Sequence, residues 1–312
     1  MIRTTRTEPA ADISEAFIRS LNLTSIADLR SALDLLKISP LKSLGQNFLI
    51  DANILAIILK TAELSAGDAV LEIGAGLGAL TEALVKTARR VVAIEKDSRL
   101  ADFLQTRFQP FANLELVAAD VMRLDLVKFW SAGINKLVAN LPYSVGSAVL
   151  AGIFKSGSQP EMIVVTLQTE VARRLAAKPD TEDYGLLSIW GQLDYETEIC
   201  KLVSPNCFFP KPEVQSAVIR LKKRAASAIG PVDRDFFFGL TKYAFGQRRK
   251  QLQKILLHAP QKFRRDVSEL QNVFRETGID PRARPGALGI PEWIRLATLL
   301  CQPGEPPSNY SN

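Results

Sequence analysis

Four short clusters in this chain carry groups that could do chemistry, and each follows an apolar run. Glu72-Ile73-Gly74-Ala75-Gly76-Leu77-Gly78 follows Val70-Leu71, and Glu95 follows Val91 to Ile94. Asp120 follows Leu116 to Ala119, and Asn140-Leu141-Pro142-Tyr143 follows Leu137 to Ala139. Glycines allow backbone conformations closed to other residues and let a ligand lie against the main chain. A helix beginning there turns its positive end toward that ligand. An acid 21 residues after Gly74 is placed to accept hydrogen bonds from two ribose hydroxyls. An acid at position 120 can read an exocyclic amine of adenine. Together the first three clusters describe a holder for a nucleotide-like cofactor.

The glycine stretch alone fits two cofactors. Gly74, Gly76 and Ala79 satisfy the dinucleotide pattern G-x-G-x-x-G/A. Glu72, Gly74, Gly76 and Gly78 also form E-x-G-x-G-x-G, which resembles motif I of S-adenosylmethionine (SAM) methyltransferases. Asn140 to Tyr143 decides between them. An adenine amino nitrogen is a poor nucleophile because its lone pair is delocalised into the ring. The Asn140 side-chain oxygen and the Leu141 carbonyl can accept from its two hydrogens and favour a pyramidal nitrogen. Pro142 stiffens the turn, and Tyr143 offers a face on which a flipped base can stack. Such a site works by positioning and charge stabilisation, without a tuned general base. A nicotinamide dehydrogenase would need a proton relay, and the single histidine, His258, stands far along the chain near an expected helix end.

These groups are positioned by an alternation of strands and helices. Strands are expected at Ala69 to Ile73, Arg90 to Ile94, Leu114 to Ala119, Lys136 to Ala139, Glu161 to Leu167, about Tyr195 to Leu202, and Ser216 to Leu221. Helices are expected at about Ala79 to Ala88, Ser98 to Phe108 and Glu170 to Ala177. Asp51 is expected to cap a helix that carries Ile54, Ile57 and Ile58. Phe208 to Val214 reads as a stiff aromatic–proline loop, and Lys222 to Pro231 as a polar linker. Beyond the linker only helical patterns occur, at 236–243, 250–257, 267–274 and 290–300. The fold class is therefore α/β, Rossmann-like, with a small C-terminal all-helical domain. Boundaries are expected at 1–40 for an N-terminal helical extension, 41–223 for the α/β domain, 231–302 for the helical domain and 303–312 for a disordered tail. The extension could pack on the main domain or be partly disordered.

The 312 residues are 47% hydrophobic, enough for one large domain and a smaller one. Neither a membrane span nor a signal peptide is evident, so a cytoplasmic protein with no membrane partner is expected. Three cysteines without C-x-x-C spacing point to reduced thiols, and no metal site is expected. The net charge of +6 is unevenly spread. Residues 220 to 265 hold 13 Lys and Arg against two acids, Asp233 and Asp235. That concentration fits a surface for a polyanion.

Taken together the motifs resemble the KsgA/RsmA family of 16S ribosomal RNA adenine N6,N6-dimethyltransferases. The matching stretches are Leu44 to Leu49, Glu72 to Gly78, Glu95 to Asp97, Asp120, Asn140 to Tyr143, Glu170 to Leu175, Tyr184-Gly185, Phe208 to Ser216, and Phe245 to Lys250. The resemblance implies a SAM-dependent methyltransferase domain and an RNA-binding helical domain. It implies that Gln46, Asn47 and Leu49 close over SAM, and that Gly74 and Gly76 approach its methionine part. Glu95 would hold the ribose and Asp120 the adenine, and Lys96 and Val121 would also bind the cofactor. Asn140 would lie between cofactor and target, binding the one and acting on the other; with Leu141, Pro142, Tyr143 and Phe208 it would form the catalytic set, with Tyr143 and Phe208 sandwiching the target base. Arg248, Arg249, Lys250, Lys222 and Lys223 would contact RNA. The implied partner is 16S rRNA in the immature small subunit, and the implied product of SAM is S-adenosylhomocysteine. The enzyme is expected to act as a monomer. Ala75 stands where the family usually has proline, and Ser144-Val145-Gly146-Ser147-Ala148 replaces its usual Asn-Ile-Ser-Thr-Pro. Two alternatives remain: an Erm-type methyltransferase of large-subunit rRNA, and a non-catalytic ribosome assembly factor on the same scaffold.

Overall fold

The computed structural model describes residues 15–38, 47–230 and 232–301. The first 14 residues, the 39–46 stretch that contains Gln46, and the expected tail lie outside the described residues.

The elements follow in chain order: α1 (Glu15–Ser20), α2 (Ile26–Leu35), β1 (Phe48–Leu49), α3 (Ala52–Thr61), β2 (Ala69–Ile73), α4 (Ala79–Thr87), β3 (Arg90–Glu95), α5 (Ser98–Phe108) and β4 (Leu114–Ala118). Next come α6 (Val127–Ser131), β5 (Lys136–Asn140), α7 (Gly146–Lys155), β6 (Met162–Gln168), α8 (Thr169–Ala176), α9 (Leu186–Asp194), β7 (Tyr195–Val203), β8 (Phe208–Phe209) and β9 (Ser216–Lys223). The chain finishes with α10 (Arg234–Phe245), α11 (Leu252–Leu257), α12 (Val267–Thr277) and α13 (Ile290–Leu300).

Seven strands form one sheet in the order β4-β3-β2-β5-β6-β9-β7. The first five are parallel, and β9 runs antiparallel between β6 and β7. Every residue of β2 is buried, as a strand covered on both faces requires. Helix starts agree with capping chemistry. Asp51 accepts from the Asn53 and Ile54 amides at 2.9 and 3.0 Å, Asp97 caps α5, and Asp233 caps α10. Chain order reverses between β2 and β5, so the tips of β2, β3, β4 and β5 open a crevice.

Three parts of the fold differ from the sequence reading. The aromatic–proline loop begins as strand β8, paired antiparallel with β1 through Phe48 with Phe209 and Leu49 with Phe208. Such a pairing depends on a partner distant in sequence and leaves no local signal. Helices α7 and α9 are absent from the sequence reading; α9 is buried along most of its length, and the outer face of α7 carries small residues such as Ala148 and Gly152, so little polarity marks their period. The polar linker is stitched down by Asp194, which receives Ser227 Oγ and forms an ion pair with Arg234.

The C-terminal helices do not stand apart from the sheet. One apolar cluster runs from Leu150, Phe154 and Trp190 into Phe237, Phe238 and Trp293. Trp190 stacks against Phe238 at 4.9 Å and donates to Thr241 Oγ1 at 3.1 Å. Tyr184 donates to the Leu288 carbonyl at 3.0 Å. Burying each such large side chain stabilises the junction by roughly 1.5–3 kcal/mol. The described part of the N-terminal extension packs on the α/β domain through Ile18, Leu29 and Leu33 against Leu77, Leu100 and Phe103. Among the described residues no helix is long and apolar enough to cross a membrane.

Candidate active site

The crevice gathers twelve of the nineteen residues singled out from sequence. Asn47, Leu49, Gly74, Gly76, Glu95, Lys96, Asp120, Val121 and Asn140 to Tyr143 line one cleft. Gln46 lies outside the described residues.

The glycine turn is fixed from three sides. Gly74 has φ +78°, and a Cβ there would come within 2.9 Å of Pro142 Cδ. Gly76 has φ +59°, and a Cβ there would meet the Phe48 ring at 3.1 Å. Both are left-handed conformations that favour glycine. Gly78 has φ +93° as well, and a side chain there would also collide with Phe108 and Leu104 of α5.

Glu95 sits at the tip of β3 and is 7% exposed. Its Oε2 accepts from the Gly76 amide at 2.8 Å, and its Oε1 from the Lys96 and Asp97 amides at 2.8 and 2.9 Å. A carboxylate has about four acceptor directions, so one on Oε2 is left for a ligand hydroxyl. Burial raises its pKa, and the three amides oppose that shift. Behind it Glu72 is 2% exposed and accepts from Thr81 Oγ1 at 2.6 Å. Burial pushes its pKa up to about 8. Asp120 bonds the Met122 amide through Oδ1 and the Lys96 ammonium through Oδ2 at 2.8 Å. These partners hold its carboxyl below the usual range, with Lys96 the larger influence.

Asn140, at the tip of β5, donates from Nδ2 to the Asn47 carbonyl at 2.9 Å. A carbonyl can only accept, so this bond fixes the amide orientation. Its Oδ1 is buried and, among the described residues, has no hydrogen-bond partner. Leaving a buried acceptor unpaired costs about 1–3 kcal/mol. Tyr143 is half-buried, and its hydroxyl lies 2.5 Å from Ser216 Oγ at the start of β9. Burial raises the pKa of that hydroxyl.

Phe208, expected to face Tyr143 across the target base, does not line the cleft. It is 3% exposed and packed with Leu49, Ile54, Val203 and Val218. The β1–β8 pairing turns it into the core, while the neighbouring Phe209 is half-buried under Arg30. Lys222 and Lys223 also lie away from the cleft. They pair with Met162 and Tyr195, level with the start of β5 rather than its tip. Arg248, Arg249 and Lys250 are exposed after α10. Arg248 is partly structural, donating to the Thr181 and Glu182 carbonyls at 3.2 and 2.6 Å.

Sequence reasoning assigns no separate role to Ser216 or Phe48. Ser216 orients the Tyr143 ring, and Phe48 covers Gly76. Both stand inside family-like motif stretches, but their contacts depend on long-range packing.

A parallel sheet with one reversed strand, a glycine turn against an acid-tipped second strand, and an Asn-x-Pro-Tyr tip define the SAM-dependent methyltransferases. The residues present fit that cofactor: a backbone cradle at Gly74 and Gly76, an open acceptor on Glu95, and an acid at Asp120. The sequence profile described as ribosomal RNA adenine dimethylase matches residues 40–291. Ribosomal RNA small subunit methyltransferase A of Bacillus mycoides (strain KBAB4) is 40% identical over 264 residues, covering 83% of this chain and 90% of that protein. The enzyme of the same name from Bacillus cereus (strain AH187) matches equally well, at 40% over the same shares. A dimethyladenosine transferase from Plasmodium falciparum shares the fold with a TM-score of 0.69 at 23% identity, over 79% of this chain and 94% of that one. The 23S rRNA methyltransferase ErmE has a TM-score of 0.59 at 28% identity, over 81% and 99%. The chain belongs to the ribosomal RNA adenine dimethylase family, and its methyl donor is SAM.

Proposed function

We propose that this protein transfers methyl groups from SAM to the N6 amino groups of two adjacent adenines in the 3′-terminal hairpin loop of small-subunit rRNA. The observation that carries the reading is the unpartnered Oδ1 of Asn140, fixed in direction by the bond from Nδ2 to Asn47. An acceptor held so in the cleft suits an amino hydrogen of a flipped adenine. The hydrogen bond to the amine would relieve the cost of the buried oxygen and turn the nitrogen lone pair toward the methyl. The cofactor supplies an electrophilic methyl on a sulfonium. Glu95 binds ribose, Asp120 holds the adenine edge, and Gly74 and Gly76 let the methionine part approach the backbone. Tyr143 gives the stacking face, locked by Ser216. Phe208 is not assigned a stacking role, because it would have to leave the core to reach the base. Arg249 and Lys250 are assigned to the RNA backbone, and Lys222 and Lys223 are not. The small-subunit assignment is supported by the names of the 40% identical relatives. We place the activity on immature small subunits in the cytoplasm, with the protein acting as a monomer.

Transfer of labelled methyl from SAM to immature small subunits and, separately, to large-subunit rRNA tests the reading. Dimethyladenosine from the small subunit alone is expected. Label in the large subunit would favour an Erm-type reaction instead. Binding to the particle without label would mean an assembly factor that has lost the reaction.

A further inference from the structure

The N-terminal helices reach the cofactor cleft. Leu23, in the turn between α1 and α2, and Leu29, on α2, belong to its lining beside Leu77 and Leu100. Leu23 is 4% exposed and Leu29 is fully buried, so they form a wall rather than a rim. Leu77 follows the glycine turn's Gly76, and Leu100 lies three residues beyond Asp97, so this wall borders the side of the cleft where Glu95 sits.

Three arginines fasten the layer in place. Arg107 of α5 is 6% exposed and donates to the Ile18 carbonyl and, at 2.8 Å, to the Leu21 carbonyl. It also meets Glu82 of α4 at 2.9 Å. Arg99 donates to the Lys37 carbonyl at 3.0 Å while its guanidinium pairs with Asp97. Arg30 of α2 covers the Phe209 ring at 5.4 Å. A buried guanidinium bound to two carbonyls and a carboxylate is a specific anchor, well beyond what loose apolar packing needs.

We propose that the α1–α2 layer is a wall of the SAM cleft and retains the cofactor, with Leu23 and Leu29 backing it. The proposal rests on SAM occupying this cleft. The flat faces of an adenine ring are apolar and suit a leucine wall. Without the layer, Leu77, Leu100 and Phe103 would face water at the point where the cofactor must be enclosed.

Two variants on one helix separate wall from scaffold. Leu29 and Leu33 are both buried on α2 in the same cluster, but only Leu29 lines the cleft. Calorimetry with S-adenosylhomocysteine on the full chain is expected to show Leu29→Ala weakening binding roughly three- to tenfold. Leu33→Ala should stay within about twofold for a similar drop in Tm. Equal shifts in the two variants, or none in either, would overturn the proposal. Should Leu29→Ala fail to fold, Leu23→Ala against Ile18→Ala is read in the same way. Glu95→Ala serves as the reference. If it weakens binding while Leu29→Ala does not, only the wall fails; if neither does, the assignment of the cleft fails.

Discussion

Gly74 and Pro142 are in contact across the cleft floor: a single Cβ on Gly74 would lie 2.9 Å from Pro142 Cδ. The turn assigned to the cofactor and the tip assigned to the target amine therefore share one packing surface. Their relative position is fixed by the smallness of one residue and the rigidity of the other.

Gly74→Ala is expected to damage both functions at once. The φ of +78° becomes strained and the Cβ must displace Pro142. A stability loss of about 1–3 kcal/mol is expected. Turnover should fall roughly a hundredfold, as a displacement near 1 Å at a reacting centre does. Thermal melts with single-turnover transfer check this, and adding Pro142→Ala should restore part of the rate.

Glu95→Gln should weaken S-adenosylhomocysteine binding by at least about tenfold. Its carboxylate accepts three backbone amides, which a carboxamide with one acceptor oxygen cannot reproduce. The loss should fall on cofactor affinity, with a smaller change in the rate at saturation. Calorimetry and saturating-cofactor kinetics separate the two.

Glu72 gives the fold a pH dependence. Its pKa is raised to about 8 by burial, from an ordinary value of 4.5. Between those values the folded chain keeps a proton that the unfolded chain has released. Stability from this group therefore falls as pH rises through the window. Glu72→Gln cannot titrate, so its Tm should drop less than that of the wild type between about pH 5 and about pH 8. Parallel curves for the two proteins would contradict this.

Tyr143→Phe and Tyr143→Ala should behave differently. The first keeps the stacking ring and loses only the bond to Ser216, so turnover should fall by a few fold. The second removes the face itself, worth about 1–3 kcal/mol per stacked base, and should cost roughly tenfold or more. Ser216→Ala should resemble Tyr143→Phe.

On the basic surface, Arg249→Ala with Lys250→Ala should lower the salt dependence of particle binding by about one unit of slope for each phosphate no longer neutralised. Lys222→Ala with Lys223→Ala should leave it unchanged, because they sit toward the opposite end of the sheet. Filter binding across a salt series reads both.

What the sequence makes legible follows the range of the forces involved. Strand β2, the turn at Gly74 to Gly78, and the tips at Glu95, Asp120 and Asn140 are legible because period, glycine spacing and acid placement are local. The cap at Asp51 is local too. The burial of Phe208 is not legible, because it depends on pairing β8 with β1. The role of Ser216 depends on a bond to Tyr143 across the sheet. The positions of Lys222 and Lys223 depend on strand direction, since β9 runs opposite to its neighbours. The extension reads as amphipathic helices, but that Leu29 reaches the cleft is set by how Arg107, Arg99 and Arg30 hold the layer.

The central claim is that Asn140 Oδ1 is the acceptor that activates the target amine. Asn140→Ala, assayed for S-adenosylhomocysteine affinity and for single-turnover methyl transfer to immature small subunits, tests it most directly. The expected result is cofactor affinity within about threefold of wild type with transfer reduced by roughly 10²–10³, the scale for removing one preorganised hydrogen-bonding group. Transfer that stays near wild type, or falls only in step with cofactor affinity, would contradict the account.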